Sequence, residues 1–97
     1  MVRRIADNFH PEKIILFGSR ARGDAHPDSD VDLLVVMPFE GSRRALSVEI
    51  RLAVSGMGIG KDIMVATPQE MDRYRNVPGT IALIAHLEGK MLYDRAA

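Results

Sequence analysis

Val2, Ile5, Ala6 and Phe9 recur at the i, i+3, i+4, i+7 spacing of one helix face, and Pro11 interrupts the pattern. The spacing predicts a first helix ending near Phe9. Lys13 to Phe17 is a short apolar run of strand-forming residues closed by Gly18, which predicts a buried strand feeding a tight turn. Ser19 to Ser29 is small, charged and turn-prone, so a short helical turn and then a loop are expected. Val31 to Met37 predicts a second strand. It is apolar apart from Asp32 and lacks alternation, as in strands covered on both faces.

Beyond Pro38 and Gly41, the stripe Leu46, Ile50, Ala53, with Val54 and Met57, has helical period within Ser42 to Ser55 and beyond. Arg43, Arg44 and Arg51 are expected on its solvated face. Gly56, Gly58 and Gly60 read as a link to a third strand, Ile63 to Ala66. Thr67-Pro68-Gln69-Glu70 predicts a helix start: a threonine cap, proline at the first helical position and glutamate three residues after the cap. That helix should run to about Arg75. Pro78-Gly79 predicts a turn, Thr80 caps a last helix ending at Gly89, and Met91 to Tyr93 reads as an edge strand. The order helix-strand-helix-strand-helix-strand-helix-helix-strand describes one α/β unit without repeats.

With 97 residues the chain can bury about 60 to 65% of its unfolded surface, enough for one two-layer core and a single domain over 1–97. Lys and Arg number 13 against 13 Asp and Glu, so there is no basic excess and nucleic acid is not expected as a direct partner. The absence of cysteine excludes disulfides, thiolate nucleophiles and cysteine zinc sites, and fits a reducing cytoplasm, the expected location. His10, His26 and His86 have no metal-ligand spacing. The longest apolar runs, Leu33 to Met37 and Ile81 to Ala85, fall far short of the roughly 18 residues of a membrane span, and the amino terminus lacks the apolar stretch of a secretory signal.

The chemistry concentrates between Gly18 and Leu34. Asp30 and Asp32 lie two apart at a strand start, where period-two alternation sends both carboxylates to one face, roughly 6 to 7 Å apart along the chain. Parallel anions at a dry strand end raise a pKa or bind a cation, and oxygen ligands of this kind suit Mg²⁺. Gly18-Ser19 ends the preceding strand where positive φ is tolerated and the following N–H groups can face an anion. Taken singly, either pair is ordinary turn chemistry.

Together, Gly18-Ser19-Arg20-Ala21-Arg22-Gly23 and Ser29-Asp30-x-Asp32-Leu33 resemble the signature of the polymerase β-like nucleotidyltransferase superfamily, in particular its minimal nucleotidyltransferase branch. The likeness continues in a third aspartate, Asp62 of Lys61-Asp62-Ile63-Met64-Val65, and in the closing strand near Tyr93. It implies an α/β (α+β) single-domain nucleotidyltransferase fold, a small mixed sheet with helices packed on it. It also implies ATP as nucleotidyl donor and two Mg²⁺ ions held by Asp30, Asp32 and Asp62. Gly18 and Ser19 would hold the β- and γ-phosphates, and Arg22, with Arg20 as a second candidate, would contact the triphosphate. Asp62 read by itself, at a strand start after a glycine-rich link, is common turn chemistry. Lys61 stands where the family commonly has an apolar residue, and is expected to crowd the metal site or to pair with phosphate.

The branch is known as one half of two-gene toxin–antitoxin modules with an all-helical HEPN ribonuclease. The implied function is therefore transfer of AMP from ATP to a tyrosine of such a partner, an antitoxin activity. The alternative, from a different class, is a non-catalytic module that neutralises the toxin by covering it.

Overall fold

The apolar run that lacks alternation forms β2 (Val31–Val36) and lies inside a four-stranded sheet, as its composition predicts. In the computed structural model, which describes residues 1–96, β2 pairs antiparallel with β1 (Lys13–Phe17) and parallel with β3 (Lys61–Ala66). β4 (Lys90–Asp94) adds to the outer side of β1, giving the order β3-β2-β1-β4. The parallel pair needs a crossover, and α3 (Arg43–Ala53) supplies it. α1 (Val2–Phe9) precedes the sheet, α2 (Ser19–Arg22) follows β1 directly, and α4 (Pro68–Tyr74) and α5 (Ile81–Glu88) lie between β3 and β4. This is the small mixed sheet with packed helices that the resemblance implies. Among the described residues, no helix is long and apolar enough to cross a membrane.

The two faces of the sheet carry separate clusters. Ile14, Leu33, Val35, Ile63 and Val65 pack with Ile5 of α1 and with Ile50 and Val54 at α3. On the other face Ile15, Leu34, Val36 and Ala66 pack with Ala85 of α5 and Met71 of α4. Leu33 to Val36 are therefore at most 2% exposed, which removes the need for alternation along β2. β3 begins two residues before the apolar run that announces it. The cause is the parallel ladder, in which Val31 registers with Lys61 and Asp32 with Asp62.

Ser42, Thr67 and Thr80 cap α3, α4 and α5, and Thr67 with Glu70 closes the predicted reciprocal capping box. Glu70 has a second role. Arg43 of α3 forks onto both its carboxylate oxygens at 3.0 and 2.7 Å, donates to the Val65 carbonyl at 2.7 Å and lies over the Phe39 ring. Arg43 thus ties α3 to α4 and β3 rather than merely facing solvent. These donors hold the Glu70 carboxyl below its ordinary value of 4.5, the Arg43 hydrogen bond first and the Thr67 N–H second.

A depressed carboxyl contributes stability above its unfolded pKa and loses it as pH falls through the folded value. Glu70→Gln is accordingly expected to cost about 1 kcal/mol at pH 7, a midpoint loss of roughly 4 to 8 °C, because the pair is only partly shielded from solvent. At pH 3, below the ordinary carboxyl value of 4.5, the difference in thermal melts from wild type should be smaller than at pH 7. An equal gap at both pH values would assign the effect to something other than the carboxylate.

Candidate active site

β1 ends at Phe17, which registers with Asp32 of β2, and the chain then turns through Gly18. Gly18 has φ 76° and ψ −158°, a region essentially restricted to glycine. A methyl group there would also overlap Oδ2 of Asp32. Conformation and proximity both exclude a side chain, so the Asp32 carboxylate lies directly on the strand-to-helix turn. The Gly18 carbonyl accepts from the Ala21 and Arg22 N–H groups at 3.1 Å each, which starts α2, and no side chain caps its first turn. Ser19 follows that turn directly, as the first residue of α2.

Asp30 precedes β2 and is fixed from the other side. The Val31 N–H donates to the Gly60 carbonyl at 2.9 Å, and a methyl group on Gly60 would overlap Oδ1 of Asp30. The two carboxylates of the motif thus rest on glycines at two different strand ends, Asp32 on Gly18 and Asp30 on Gly60. Asp62 is in the strand itself, in register with Asp32 across the parallel ladder. Registered residues share a face, so Asp32 and Asp62 leave the sheet on the side of Leu34, Val36 and Ala66. α4 and α5 cover that side at Val36 and Ala66 but leave Asp62 and Met64 exposed. The carboxylates therefore occupy an open sheet end above a buried floor.

The electrostatics follow from that placement. Burial, then the negative charge of Asp62, then that of Asp30, raise the Asp32 carboxyl above its ordinary value of 3.8, and Arg22 partly opposes them. Like charges gathered with one partly desolvated member mark a place prepared for positive charge. The donors are hard carboxylate oxygens, which fit Mg²⁺ by type. Among the described residues, no three histidine, aspartate or glutamate side chains converge into a preformed metal cage.

Several expectations need correction. Lys61 registers with Val31 on the opposite face of β3 from Asp62, so it neither crowds the carboxylates nor faces a phosphate bound there. Arg51 is not wholly solvent-directed: one Nη lies 3.8 Å from Oδ1 of Asp62. Arg20 spends its guanidinium on the chain itself, donating to the carbonyls of Ser29 and Pro27. Arg22 is at the site but held between Asp24 and Glu88, each at 3.2 Å. Gly60 and Glu88 were not legible as site residues. The Gly60 contact depends on strand pairing, and Glu88 is 66 positions from Arg22.

A cleft of about 450 Å³ opens at the other end of the same sheet face, where Lys13, Ile15, Val36, Met71, His86 and Met91 line it. It contains none of the three aspartates. Chemistry rather than enclosure locates the candidate site, since a polyanion with its cation is held by charge on an open face.

The profile of the nucleotidyltransferase domain family matches residues 1–86. A Sulfolobus solfataricus protein assigned as a nucleotidyltransferase superposes with a TM-score of 0.69 at 26% identity, over 98% of this chain and 75% of that one. A chain of a toxin–antitoxin crystallised with AMP-PNP gives 0.56 at 21% identity, over 96% and 69%. A chain of a mutant of the toxin–antitoxin MntA-HpeT gives 0.55 at 19%, again over 96% and 69%. These last two likenesses establish a shared fold. No curated protein matches. With a family profile spanning most of its length, on the mixed sheet and strand-end glycines described above, the chain belongs to the nucleotidyltransferase domain family.

Proposed function

We propose that the protein is an Mg²⁺-dependent adenylyltransferase that moves AMP from ATP to a tyrosine hydroxyl of a helical HEPN-type toxin, and so acts as an antitoxin. The observation that carries the catalytic part is the register of Asp32 with Asp62 beside Gly18, with the Asp32 carboxyl raised by its neighbours. The fold shared with toxin–antitoxin chains, one of them crystallised with AMP-PNP, supports the partner and the donor.

Asp30 and Asp32 would share the metal, and Asp62 would complete the site beside the acceptor hydroxyl, as a further ligand or as the base. When bound, Mg²⁺ supplies charge neutralisation for the triphosphate and its leaving group. The protein's own groups do the rest. The Ser19 hydroxyl and the turn after Gly18 donate to phosphate oxygens, and Arg22 reaches the triphosphate by leaving Glu88. Asp62, exposed at the β3 end of the face, takes the proton of the acceptor hydroxyl on a carboxylate oxygen. The acceptor oxygen then bonds the α-phosphorus as the bond to pyrophosphate breaks. A tyrosine of ordinary pKa near 10 needs such a base or the cation to become a competent nucleophile.

The test is incubation of the chain with ATP, Mg²⁺ and the helical partner, followed by intact-mass measurement of the partner. The expected result is addition of one or more AMP units, abolished by EDTA and reduced at least about 10²-fold in rate by Asp62→Asn, the scale of losing a positioned base. Neutralisation of the partner with no gain in mass would overturn the catalytic reading in favour of inhibition by binding. Full activity in Asp62→Asn would remove Asp62 from the mechanism.

A further inference from the structure

We propose that Arg20 is a positioning residue for Asp30, acting through the peptide group that joins Ser29 to Asp30. The inference rests on the reading of Asp30 as a metal ligand, and it gives Arg20 a role other than contact with the triphosphate.

Asp30 ends a segment without regular structure that runs from Gly23, so no ladder fixes its approach to β2. Two anchors do so instead. Downstream, Val31 donates to Gly60. Upstream, Arg20 donates from Nε at 3.0 Å and from Nη2 at 2.7 Å to the same carbonyl oxygen, that of Ser29, and Nη2 also reaches the Pro27 carbonyl at 3.3 Å. The Ser29 hydroxyl accepts from the His26 N–H at 2.9 Å and the Ser29 N–H donates to the His26 carbonyl at 3.0 Å, which closes the loop beneath the clamp.

The peptide unit is planar, so holding the Ser29 carbonyl oxygen also holds the nitrogen and Cα of Asp30. Together with the Val31 bond to Gly60 this brackets the Asp30 backbone, and the Asp30 carboxylate lies against Gly60. A rigid guanidinium fork suits this double contact, whereas a lysine ammonium offers one point charge on a flexible stem. Arg20 itself projects from α2, whose first residue follows Gly18. One short helix thus joins the turn against which the Asp32 carboxylate lies to the loop that carries Asp30.

Arg20→Ala, Arg20→Lys and Asp30→Asn are compared in the full chain by two measurements. The first is amide exchange at residues 29 to 31 without metal or nucleotide. The second is binding of Mn²⁺ in the presence of a nonhydrolysable ATP analogue, read by the paramagnetic signal of free Mn²⁺. Arg20→Ala is expected to speed exchange at these amides about tenfold and to weaken Mn²⁺ binding about 10- to 100-fold, the scale for losing a group that orients a ligand. Arg20→Lys should recover part of both.

Unchanged exchange in Arg20→Ala would overturn the clamp. Faster exchange with Mn²⁺ affinity within about twofold of wild type, while Asp30→Asn lowers it, would overturn the link from clamp to ligand. Mn²⁺ binding unaffected by Asp30→Asn would overturn the metal reading itself, and the exchange measurement tells that failure apart from failure of the clamp.

Discussion

Asp32→Asn is expected to lower nucleotidyl transfer about 10³-fold and, in the same protein, to raise the thermal midpoint at pH 7. The activity loss follows from position. Asp32 is the carboxylate against the Gly18 turn and in register with Asp62, so on the proposed reading its charge lies where a bound cation and triphosphate would need it. Removal of one preorganised electrostatic group typically costs 10²- to 10³-fold, and a group shared by metal and phosphate geometry belongs at the upper end of about that range.

The stability gain follows from the same crowding. Burial and the charges of Asp62 and Asp30 raise the Asp32 carboxyl in the native state, so the native state holds a proton more tightly than the unfolded chain does. Stability then falls as pH rises from the unfolded carboxyl value through the raised native one, and the cost is present above that native value. An amide of the same shape carries no such cost. Melts without metal should show the variant above wild type at pH 7, with the gap closing as pH falls below the ordinary carboxyl value of 3.8. A midpoint below wild type at pH 7 would mean that Asp32 serves the fold and not the ligand.

How far the chain could be read beforehand depended on whether a feature is local. Caps, periodicity and punctuating glycines act over a few residues, so Thr67 with Glu70, the helix stripe through Leu46 and Ile50, and the buried run of β2 were all legible. Gly18-Ser19 and Asp30-x-Asp32 were joined only by the family likeness, and the antiparallel return of β2 on β1, which sets Asp32 opposite Phe17 at that sheet end, emerges from the structure. What depended on lateral pairing was not legible. Lys61 precedes Asp62 in sequence, yet the parallel register with Val31 sends it to the other face. Gly60 reads as part of a flexible link, yet it is the surface on which Asp30 lies. Arg43 has the spacing of a solvated position, and only the arrival of Glu70 from α4 turns it into a tie between helices.

Gly18→Ala should be among the most damaging single methyl additions, whereas Gly23→Ala, five residues on, should be mild. Both glycines have positive φ, and a count of turn glycines treats them alike. Gly23 caps α2 at φ 85° and ψ 9°, an ordinary left-handed conformation, and a Cβ there meets nothing within 4 Å. Its substitution is expected to cost about 1 kcal/mol and to leave transfer within about twofold of wild type.

Gly18 lies outside the left-handed well, where strain alone costs about 1 to 3 kcal/mol, and its Cβ would overlap the Asp32 carboxylate. A total near 3 kcal/mol, hence a midpoint loss of more than about 10 °C, is expected. Displacement of Asp32 by an ångström or so should cost transfer about 10²-fold even below the melting range. Chemical denaturation of Gly18→Ala, Asp32→Ala and the double variant separates the two causes. Truncating Asp32 removes the overlap but leaves the backbone strain, so the double variant should be more stable than the sum of the single effects allows. Strict additivity would show that the methyl group and the carboxylate never meet, and that Gly18 is required for its backbone angles alone.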